Sequence, residues 1–187
     1  MIVAHQPNFT PVRINPSGEE SSAANIKKIF LAEDDDEDFN LFNAAILTIK
    51  SSIQVMRIKN GIMFSSLIET SLKPDIIILD LNMPYKNGLM CLQEVKSKQH
   101  LKSVKVIIYS TSSSLRDIEN CYASGADYYL VKPDNYHSII QQFKDLFSNE
   151  YFINNVRPPR NRFVFNSNLL SGFFIFTIQY LLFTLLV

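Results

Sequence analysis

A regular alternation of short apolar runs and amphipathic stretches, which begins near Lys27, constrains the fold of this chain more than any other feature. Five runs have the length and composition of buried strands, and we predict strands over residues 28–32, 53–59, 75–79, 104–109 and 127–131. Apolar residues recur at helical spacing between them and predict helices over residues 38–50, 87–98, 115–122 and 139–147, with residues 61–70 as a weaker candidate. Strands that alternate with helices need crossover connections. The sequence therefore predicts an α/β fold, a doubly wound and mostly parallel sheet with helices on both faces.

Composition narrows the classes of function. The 187 residues are 47% hydrophobic, which is sufficient for a core. Lys and Arg number 18, as do Asp and Glu, and no predicted helix carries a basic stripe, so we expect no nucleic-acid partner. Cys91 and Cys121 lie in helical patterns without a CxxC or CxxH companion. This argues against a sulfur-bound metal or a disulfide framework and fits a reducing cytoplasm.

The chain divides by composition into four segments. They are a leader expected to be disordered over residues 1–25, a domain over 26–150, a Pro/Arg-rich linker over 151–168 and a hydrophobic tail over 169–187. The leader lacks the apolar core and cleavage site of a signal peptide, so we expect a cytoplasmic protein.

The uncharged tail admits three interpretations. As a helix it would measure about 28 Å, close to the hydrocarbon thickness of a bilayer. Arginines 157, 160 and 162 precede it and fit the positive-inside rule, which favours a C-terminal anchor at the cytoplasmic face of the inner membrane. The alternatives are a tail that docks on a partner and a coding-frame artefact.

In the segment DIIILDLNMP an apolar strand ends in the carboxylate of Asp80, and polar side chains also follow the neighbouring strands. Asp34 and Asp35 follow the first strand, Ser110 ends the fourth and Lys132 follows the fifth. Ligands of parallel α/β sheets bind beyond the carboxyl ends of the strands, so we expect these groups to share one crevice. Clustered carboxylates repel one another unless a cation neutralises them, and an all-oxygen set suits Mg²⁺, or Mn²⁺ as the alternative. We therefore predict Asp34, Asp35 and Asp80 as metal ligands.

Each of these residues also has a purely structural interpretation. Residues 36–38 fit a solvated loop that leads into a helix, where acidic side chains favour the N-terminus. Asp80 could form a turn or an Asx cap, and Ser110 could be a turn residue instead of a hydrogen-bond donor to an anion. Lys132 could be a surface lysine, although its place before Pro133 at the end of a central strand favours an inward ammonium. The Lys132–Pro133 bond is a candidate for the cis form.

Four segments, taken in order, resemble the receiver domain of two-component response regulators over residues 26–147. They are IFLAEDDDEDF, DIIILDLNMPYKNG, VIIYSTSS and GADYYLVKP. The resemblance implies a flavodoxin-like (βα)5 fold, a three-layer sandwich with the parallel strand order 2-1-3-4-5. It also implies a phosphoprotein in which Asp80 accepts a phosphoryl group from a histidine kinase or a histidine phosphotransfer protein.

The same resemblance assigns residues to roles in phosphoryl transfer. They are Asp80 as the phosphoacceptor; Asp34, Asp35, Asp80 and the backbone carbonyl of Asn82 as Mg²⁺ ligands; Ser110 and Lys132 as phosphoryl-binding groups; Ser110 and Tyr129 as the switch pair; and Asn82 and Ser112 as residues that tune hydrolysis of the acyl phosphate. Thr111 departs from the family pattern. Receivers carry a small residue there, and a β-branched side chain narrows access to the phosphoryl group.

By this resemblance the chain is a stand-alone receiver, a single-domain response regulator of a phosphorelay. It is expected not to be an enzyme beyond self-phosphotransfer and autodephosphorylation. Its downstream partner is expected to bind a surface of the fourth helix, fifth strand and fifth helix, around residues 115–141.

Two other functions compete with this one. A Mg²⁺-dependent phosphohydrolase could use Asp80 as its nucleophile, but such enzymes typically carry DxD on the first strand, whereas Asp80 ends the third. A flavin-binding protein is disfavoured because the flavin phosphate would face the acidic loop after the first strand.

Overall fold

The structure of the protein is a computed structural model that describes residues 26–165. Its strands are β1 (Lys28–Ala32), β2 (Gln54–Ile58), β3 (Ile76–Leu79), β4 (Lys105–Ser110), β5 (Tyr128–Val131) and β6 (Val164–Phe165). All pair in parallel in one sheet with the order β2-β1-β3-β4-β5-β6. The predicted doubly wound fold and the order 2-1-3-4-5 are confirmed, and β6 extends that order by one strand beyond β5.

Helices cover both faces of the sheet and complete a three-layer sandwich. They are α1 (Asp36–Ile49), α2 (Gly61–Ile68), α3 (Gly88–Ser97), α4 (Leu115–Ala123), α5 (Tyr136–Phe147) and the short α6 (Glu150–Ile153). Helices α2, α3 and α4 pack on one face through side chains that include Phe64 and Leu92. Helices α1 and α5 pack on the other through Ile46 and Phe143. The weaker helix candidate of the sequence is confirmed as α2.

The central strands are buried on both faces, which explains their continuous apolar composition. All four residues of β3 and all six of β4 are buried. Along β3, Ile77 and Leu79 pack on the side of α2, α3 and α4, while Ile76 and Ile78 pack towards α1 and α5. Full burial of one such side chain stabilises the fold by about 1.5–3 kcal/mol. A one-residue register shift would draw Asp75 or Asp80 into the sheet and misalign the apolar side chains of both layers, so the pairing of β3 is strongly specified.

Polar residues at the helix ends set where the helices begin. Asp35 accepts backbone N–H hydrogen bonds at the start of α1, and four asparagines do the same for α2, α3, α5 and α6. These four caps are Asn60, Asn87, Asn135 and Asn149. After α4, Gly125 adopts a φ of 92°, which L side chains rarely tolerate, and the chain turns there towards β5.

The chain from α6 to β6 packs on the domain instead of leaving it. Phe152 and Phe163 are buried, a 3-10 turn over Arg160–Arg162 precedes β6, and β6 pairs with the outer edge of β5. The sequence predicts a linker over residues 151–168, whereas two phenylalanines in the described part of that segment are buried and its last two described residues form β6. The segment contains prolines and arginines typical of a linker, but its buried residues Phe152 and Phe163 hold it against the domain.

Two of the predicted segments lie outside the described residues, namely the leader over residues 1–25 and the hydrophobic tail over residues 169–187. Within residues 26–165, no helix has the length and apolar character needed to cross a bilayer. The described residues therefore contain all of the predicted domain and the segment that follows it as far as β6.

Candidate functional site

Strand register places charged groups side by side at one edge of the sheet. Ala32 of β1 pairs with Leu79 of β3, so the residues that follow these strands, Glu33 and Asp80, leave the sheet as neighbours. The Asp80 N–H donates to the Ala32 carbonyl at 3.0 Å, which continues the pairing by one residue. The ends of β4 and β5 lie at the same edge, and the predicted crevice forms there.

The Lys132 ammonium joins three carboxylates across this edge. Its Nζ lies 2.7 Å from Glu33 Oε2, 2.6 Å from Asp38 Oδ2 and 3.4 Å from Asp80 Oδ2. Only 7% of the Lys132 side chain is exposed, so the predicted inward orientation is confirmed. The Lys132–Pro133 bond is trans, and the predicted cis form is wrong. Asp38, which the sequence assigns to a solvated helix start, contacts Lys132 because the first turn of α1 faces the crevice.

Three carboxylates of the crevice are close enough to share one cation. Oxygens of Glu33, Asp34 and Asp80 all lie within 4.8 Å of one another. Glu33 and Asp80 are buried, whereas Asp34 is exposed, so the group opens to solvent on one side. An all-oxygen set with an open side fits Mg²⁺ or Mn²⁺, which keep several water ligands when protein carboxylates bind them.

Asp35, a predicted metal ligand, is not part of this set. Its Oδ1 accepts the N–H groups of Glu37 at 2.8 Å and Asp38 at 2.9 Å, so it is the N-cap of α1. Glu33 takes its place beside Asp34. One signal for this was present in the sequence: Glu33 directly follows the last residue of β1. In the structure its N–H donates to the Ile58 carbonyl at 3.0 Å, so the pairing with β2 still fixes its backbone.

Arg57 on β2 holds the acidic loop from the side opposite Lys132. Its Nε donates to the Glu33 carbonyl at 3.0 Å, its Nη2 donates to the Asp34 carbonyl at 2.8 Å, and its Nη1 pairs with the Asp36 carboxylate. The guanidinium also lies 4.9 Å from the centre of the Phe39 ring. The hydrogen bond from Arg57 holds the pKa of Asp36 below its ordinary value. Arg57 thus fixes the backbone that carries the first two carboxylates of the set, a role that the sequence pattern does not reveal.

Burial and neighbouring charges change the pKa values of the crevice residues in opposite directions. Burial raises the pKa of Glu33 above its ordinary value, against the hydrogen bond from Lys132, and the charge of Asp80 adds to the increase. Burial alone would lower the pKa of Lys132, but hydrogen bonds to Asp38 and Glu33 and the charge of Asp80 raise it above its ordinary value. Lys132 is therefore a fixed cation near neutral pH, and a second cation would favour the ionised form of Glu33.

The loop after β3 holds Asp80 from its C-terminal side. The Asn82 N–H donates to Asp80 Oδ1 at 3.3 Å, and the Asn82 side chain is exposed at the rim. Gly88 packs against the same loop, and a Cβ there would lie 2.1 Å from the Asp80 carbonyl oxygen. Any other residue at position 88 would therefore displace the backbone of Asp80. The role of the Asn82 backbone carbonyl as a metal ligand stays a prediction.

Ser110, Ser112 and Tyr129 form a hydrogen-bonded chain behind the crevice. Ser110 is fully buried, and its Oγ accepts the Ser112 N–H at 3.3 Å. The Tyr129 hydroxyl donates to the Ser112 carbonyl at 2.8 Å, and Ser112 Oγ donates to Asp117 Oδ2 at 2.6 Å. Burial raises the pKa of Tyr129 to about 12, so its hydroxyl remains a donor. The predicted pair of Ser110 and Tyr129 is thus linked through Ser112, and Thr111 is exposed beside it.

Residues 29–144, more than half of the chain, match the sequence profile of the response regulator receiver domain. The chain belongs to the response regulator receiver domain family. The response regulator Rcp1 of Synechocystis sp. is 30% identical to it over 127 residues, which cover 65% of this chain and 82% of Rcp1. The nitrate/nitrite response regulator protein NarL of Escherichia coli is 32% identical over 89 residues, which cover 48% of this chain and 40% of NarL. The resemblance read from the four sequence segments is confirmed.

Solved receiver structures have the same fold. The phosphorylated cyanobacterial phytochrome response regulator RcpA superposes with a TM-score of 0.62 at 30% identity and covers 70% of this chain and 96% of its own. The Mn²⁺-bound form of Rcp1 superposes with a TM-score of 0.60 at 27% identity and covers 71% of this chain and 99% of its own. Both neighbours are response regulators, and this chain shares their receiver fold.

Proposed function

We propose that this receiver domain accepts a phosphoryl group on Asp80 and acts as a stand-alone response regulator in a phosphorelay. The observation that carries the proposal is the setting of Asp80. Its carboxylate is buried, lies 3.4 Å from the Lys132 ammonium, and shares a 4.8 Å cluster with Glu33 and Asp34. Membership of the family supports a histidine kinase or a histidine phosphotransfer protein as the donor.

In the proposed transfer, an Asp80 carboxylate oxygen attacks the phosphorus of a phosphohistidine. The new O–P bond gives an acyl phosphate while the N–P bond breaks, and the imidazole leaves with that electron pair and takes a proton from water. Lys132 stabilises the charge on the phosphoryl oxygens, because its ammonium already lies beside Asp80 and stays protonated near neutral pH. The chain thus contributes positioning and electrostatic stabilisation.

A divalent cation, Mg²⁺ or Mn²⁺, fits the carboxylates of Glu33, Asp34 and Asp80, with the backbone carbonyl of Asn82 as a further oxygen ligand. The Mn²⁺-bound form of the neighbour Rcp1 supports this assignment. When bound, the cation offsets the negative charge of the incoming phosphoryl group. Arg57 keeps the acidic loop in place by its hydrogen bonds to two backbone carbonyls.

The hydroxyl chain behind the crevice responds to the phosphoryl group in this proposal. The Ser110 hydroxyl turns towards it and the Tyr129 ring changes its packing, which shifts the balance between two arrangements of one fold. Asn82, whose N–H donates to Asp80, and Ser112 tune the lifetime of the acyl phosphate in this proposal, and the β-branched Thr111 narrows access to it. The phosphorylated form of the neighbour RcpA supports the proposal. In this proposal the output surface is the face of α4, β5 and α5.

Incubation with acetyl phosphate and Mg²⁺, followed by intact-mass measurement, tests the proposal. We expect one phosphate per chain, none in Asp80→Asn and none in EDTA. Asp75→Asn is the matched control, because Asp75 precedes β3 at the opposite edge of the sheet and should leave labelling intact. Full labelling of Asp80→Asn would overturn the assignment. Continuous release of p-nitrophenol from p-nitrophenyl phosphate, beyond one equivalent, would favour the phosphohydrolase instead.

A further inference from the structure

The segment over residues 157–165, here named the C-terminal strap, covers the outer edge of β5 and the flank of α4. It lies beyond residues 29–144, which match the receiver profile. The Tyr129 N–H donates to the Phe163 carbonyl at 3.0 Å, and β6 continues the pairing with Val164 opposite Tyr129 and Phe165 opposite Leu130. The strap therefore satisfies backbone groups that β5 would otherwise present as an open sheet edge.

Phe163 anchors the strap in the core. Its side chain is fully buried, with its ring centre 5.0 Å from the Tyr122 ring of α4 and 6.2 Å from the Tyr129 ring of β5. It belongs to the same apolar layer as Ile118 and Cys121 of α4. Release of the strap would thus open a gap in the layer between α4 and the sheet.

Two arginines fasten the strap to α4. Arg157 Nε donates to the Ala126 carbonyl at 3.0 Å, a second N–H of Arg157 donates to the Tyr122 carbonyl, and the guanidinium lies 4.1 Å from the Tyr122 ring centre. Arg160 binds Glu119 through Nε at 3.0 Å and through a second N–H. The Tyr122 carbonyl lies in the last turn of α4, where backbone carbonyls carry partial negative charge, which suits the Arg157 guanidinium.

Tyr129 connects the strap to the crevice. Its hydroxyl is bonded to the Ser112 carbonyl at 2.8 Å, and the Ser112 N–H donates to the Ser110 hydroxyl oxygen at 3.3 Å. Its backbone N–H and its ring hold Phe163. Because a close-packed core has no spare volume, the Tyr129 ring cannot change its packing without displacing Phe163.

We propose that the C-terminal strap occupies the α4 and β5 part of the output surface and blocks it, and that phosphorylation of Asp80 loosens the strap. The inference rests on the proposed function, since the displacement of Tyr129 starts when a phosphoryl group engages Ser110. Once the strap is released, the edge of β5 fits a partner with an extended segment that adds a parallel strand. That segment would carry an aromatic side chain for the site of Phe163 and a cation for Glu119. Coupling of this kind is reciprocal, so a weakened strap favours phosphorylation.

Hydrogen exchange of the full chain with acetyl phosphate and Mg²⁺ tests the loosening, with the phosphorylated fraction read by intact mass. We expect exchange of the Tyr129 amide to rise about tenfold in the phosphorylated chain and to stay unchanged in Asp80→Asn. If the chain gains the phosphate but the Tyr129 amide exchanges at its former rate, the strap is fixed. That result overturns this inference and leaves the proposed function standing. A wild-type chain that gains no phosphate overturns both.

Arg160→Gln tests the reciprocal effect. At limiting acetyl phosphate it should raise the steady-state phosphorylated fraction several-fold, because the ion pair with Glu119 is lost. Arg116→Gln is the matched control, since Arg116 is exposed on α4 and lies outside the strap. Equal fractions in the two variants contradict the coupling. If hydrogen exchange of the strap depended on protein concentration, the strap would bind a second copy of the chain. That result would overturn the proposal that the strap binds its own chain.

Discussion

Two regions of the molecule are buried by opposite chemistry. One is the crevice beyond β1 and β3, and the other is the edge of β5 under the C-terminal strap. In the crevice, Glu33, Asp38 and Asp80 surround the single ammonium of Lys132. At the edge, the Phe163 ring packs against two tyrosine rings, Arg157 binds two backbone carbonyls, and Arg160 pairs with the Glu119 carboxylate. An excess of buried negative charge makes stability depend on which ion is present, whereas burial of rings does not. The two regions should therefore respond differently to Mg²⁺.

The largest effect is expected for Lys132→Met, which leaves buried carboxylates without their cation. In EDTA the free energy of unfolding should fall by about 3–5 kcal/mol, and excess Mg²⁺ should recover part of that loss because a second cation takes up the charge. Urea unfolding measures both values. Lys102→Met, at an exposed position, should change stability by less than about 0.5 kcal/mol. Equal stability of the two variants in EDTA would contradict a charge-dependent crevice.

Phe163→Ala tests the edge. Removal of a fully buried ring should cost about 3 kcal/mol of unfolding free energy, with the same cost in Mg²⁺ and in EDTA. Phe165→Ala, in the same strand but partly exposed, should cost less. A cost for Phe163→Ala that changes with Mg²⁺ would show that the metal alone reaches the strap and would break the contrast between the regions.

Arg57→Met probes the support of the crevice without removing a carboxylate. The acidic loop loses three hydrogen bonds, so Mn²⁺ should bind about tenfold more weakly. Free Mn²⁺ can be counted by electron paramagnetic resonance during a titration. Arg116→Met should bind Mn²⁺ like the wild type. Unchanged affinity in Arg57→Met would mean that the loop keeps its geometry unaided.

The smallest effect concerns the two buried thiols, Cys91 on α3 and Cys121 on α4. Burial raises the pKa of Cys91 to about 11 and that of Cys121 to about 12, so the thiolate is scarce at pH 8. Native chains should therefore react slowly with a disulfide reagent, faster as pH rises towards these values, and completely in urea. Phe163→Ala should speed the reaction of Cys121 and leave Cys91 unchanged, because Cys121 is on α4 next to Tyr122, whose ring contacts Phe163, whereas Cys91 is on α3. Equal acceleration of both thiols would indicate global opening.

Local patterns predicted most of the sheet. The strand predicted over residues 28–32 agrees with β1 at both ends, and the apolar run of β3 marks a strand buried on both faces. The predicted helix starts were less accurate where a capping side chain determines the first helical residue. The predicted start of the first helix at Asp38 lies two residues late, because the Asp35 side chain allows the helix to begin at Asp36.

The sequence predicted the site residues that lie at strand ends. It missed the residues whose place depends on packing between distant segments. Asp80 and Lys132 follow buried strands, so their convergence follows from sheet topology. Arg57 contacts a loop that lies more than twenty positions earlier in the chain, and the hydrophobic periodicity of the sequence does not predict that contact. The two residues of β6 are too few to show an alternating pattern, and the burial of Phe163 depends on rings supplied by α4 and β5.

The most direct test of the central claim is the position of the phosphate within the chain. Borohydride reduces an acyl phosphate to an alcohol, so a phosphorylated aspartate appears in a peptide map as homoserine. We predict homoserine at position 80 alone after treatment with acetyl phosphate, in Mg²⁺ and not in EDTA. Homoserine at another aspartate, or equal conversion of position 80 without a divalent cation, would contradict a crevice in which buried carboxylates, a lysine and a metal act as one phosphoacceptor site.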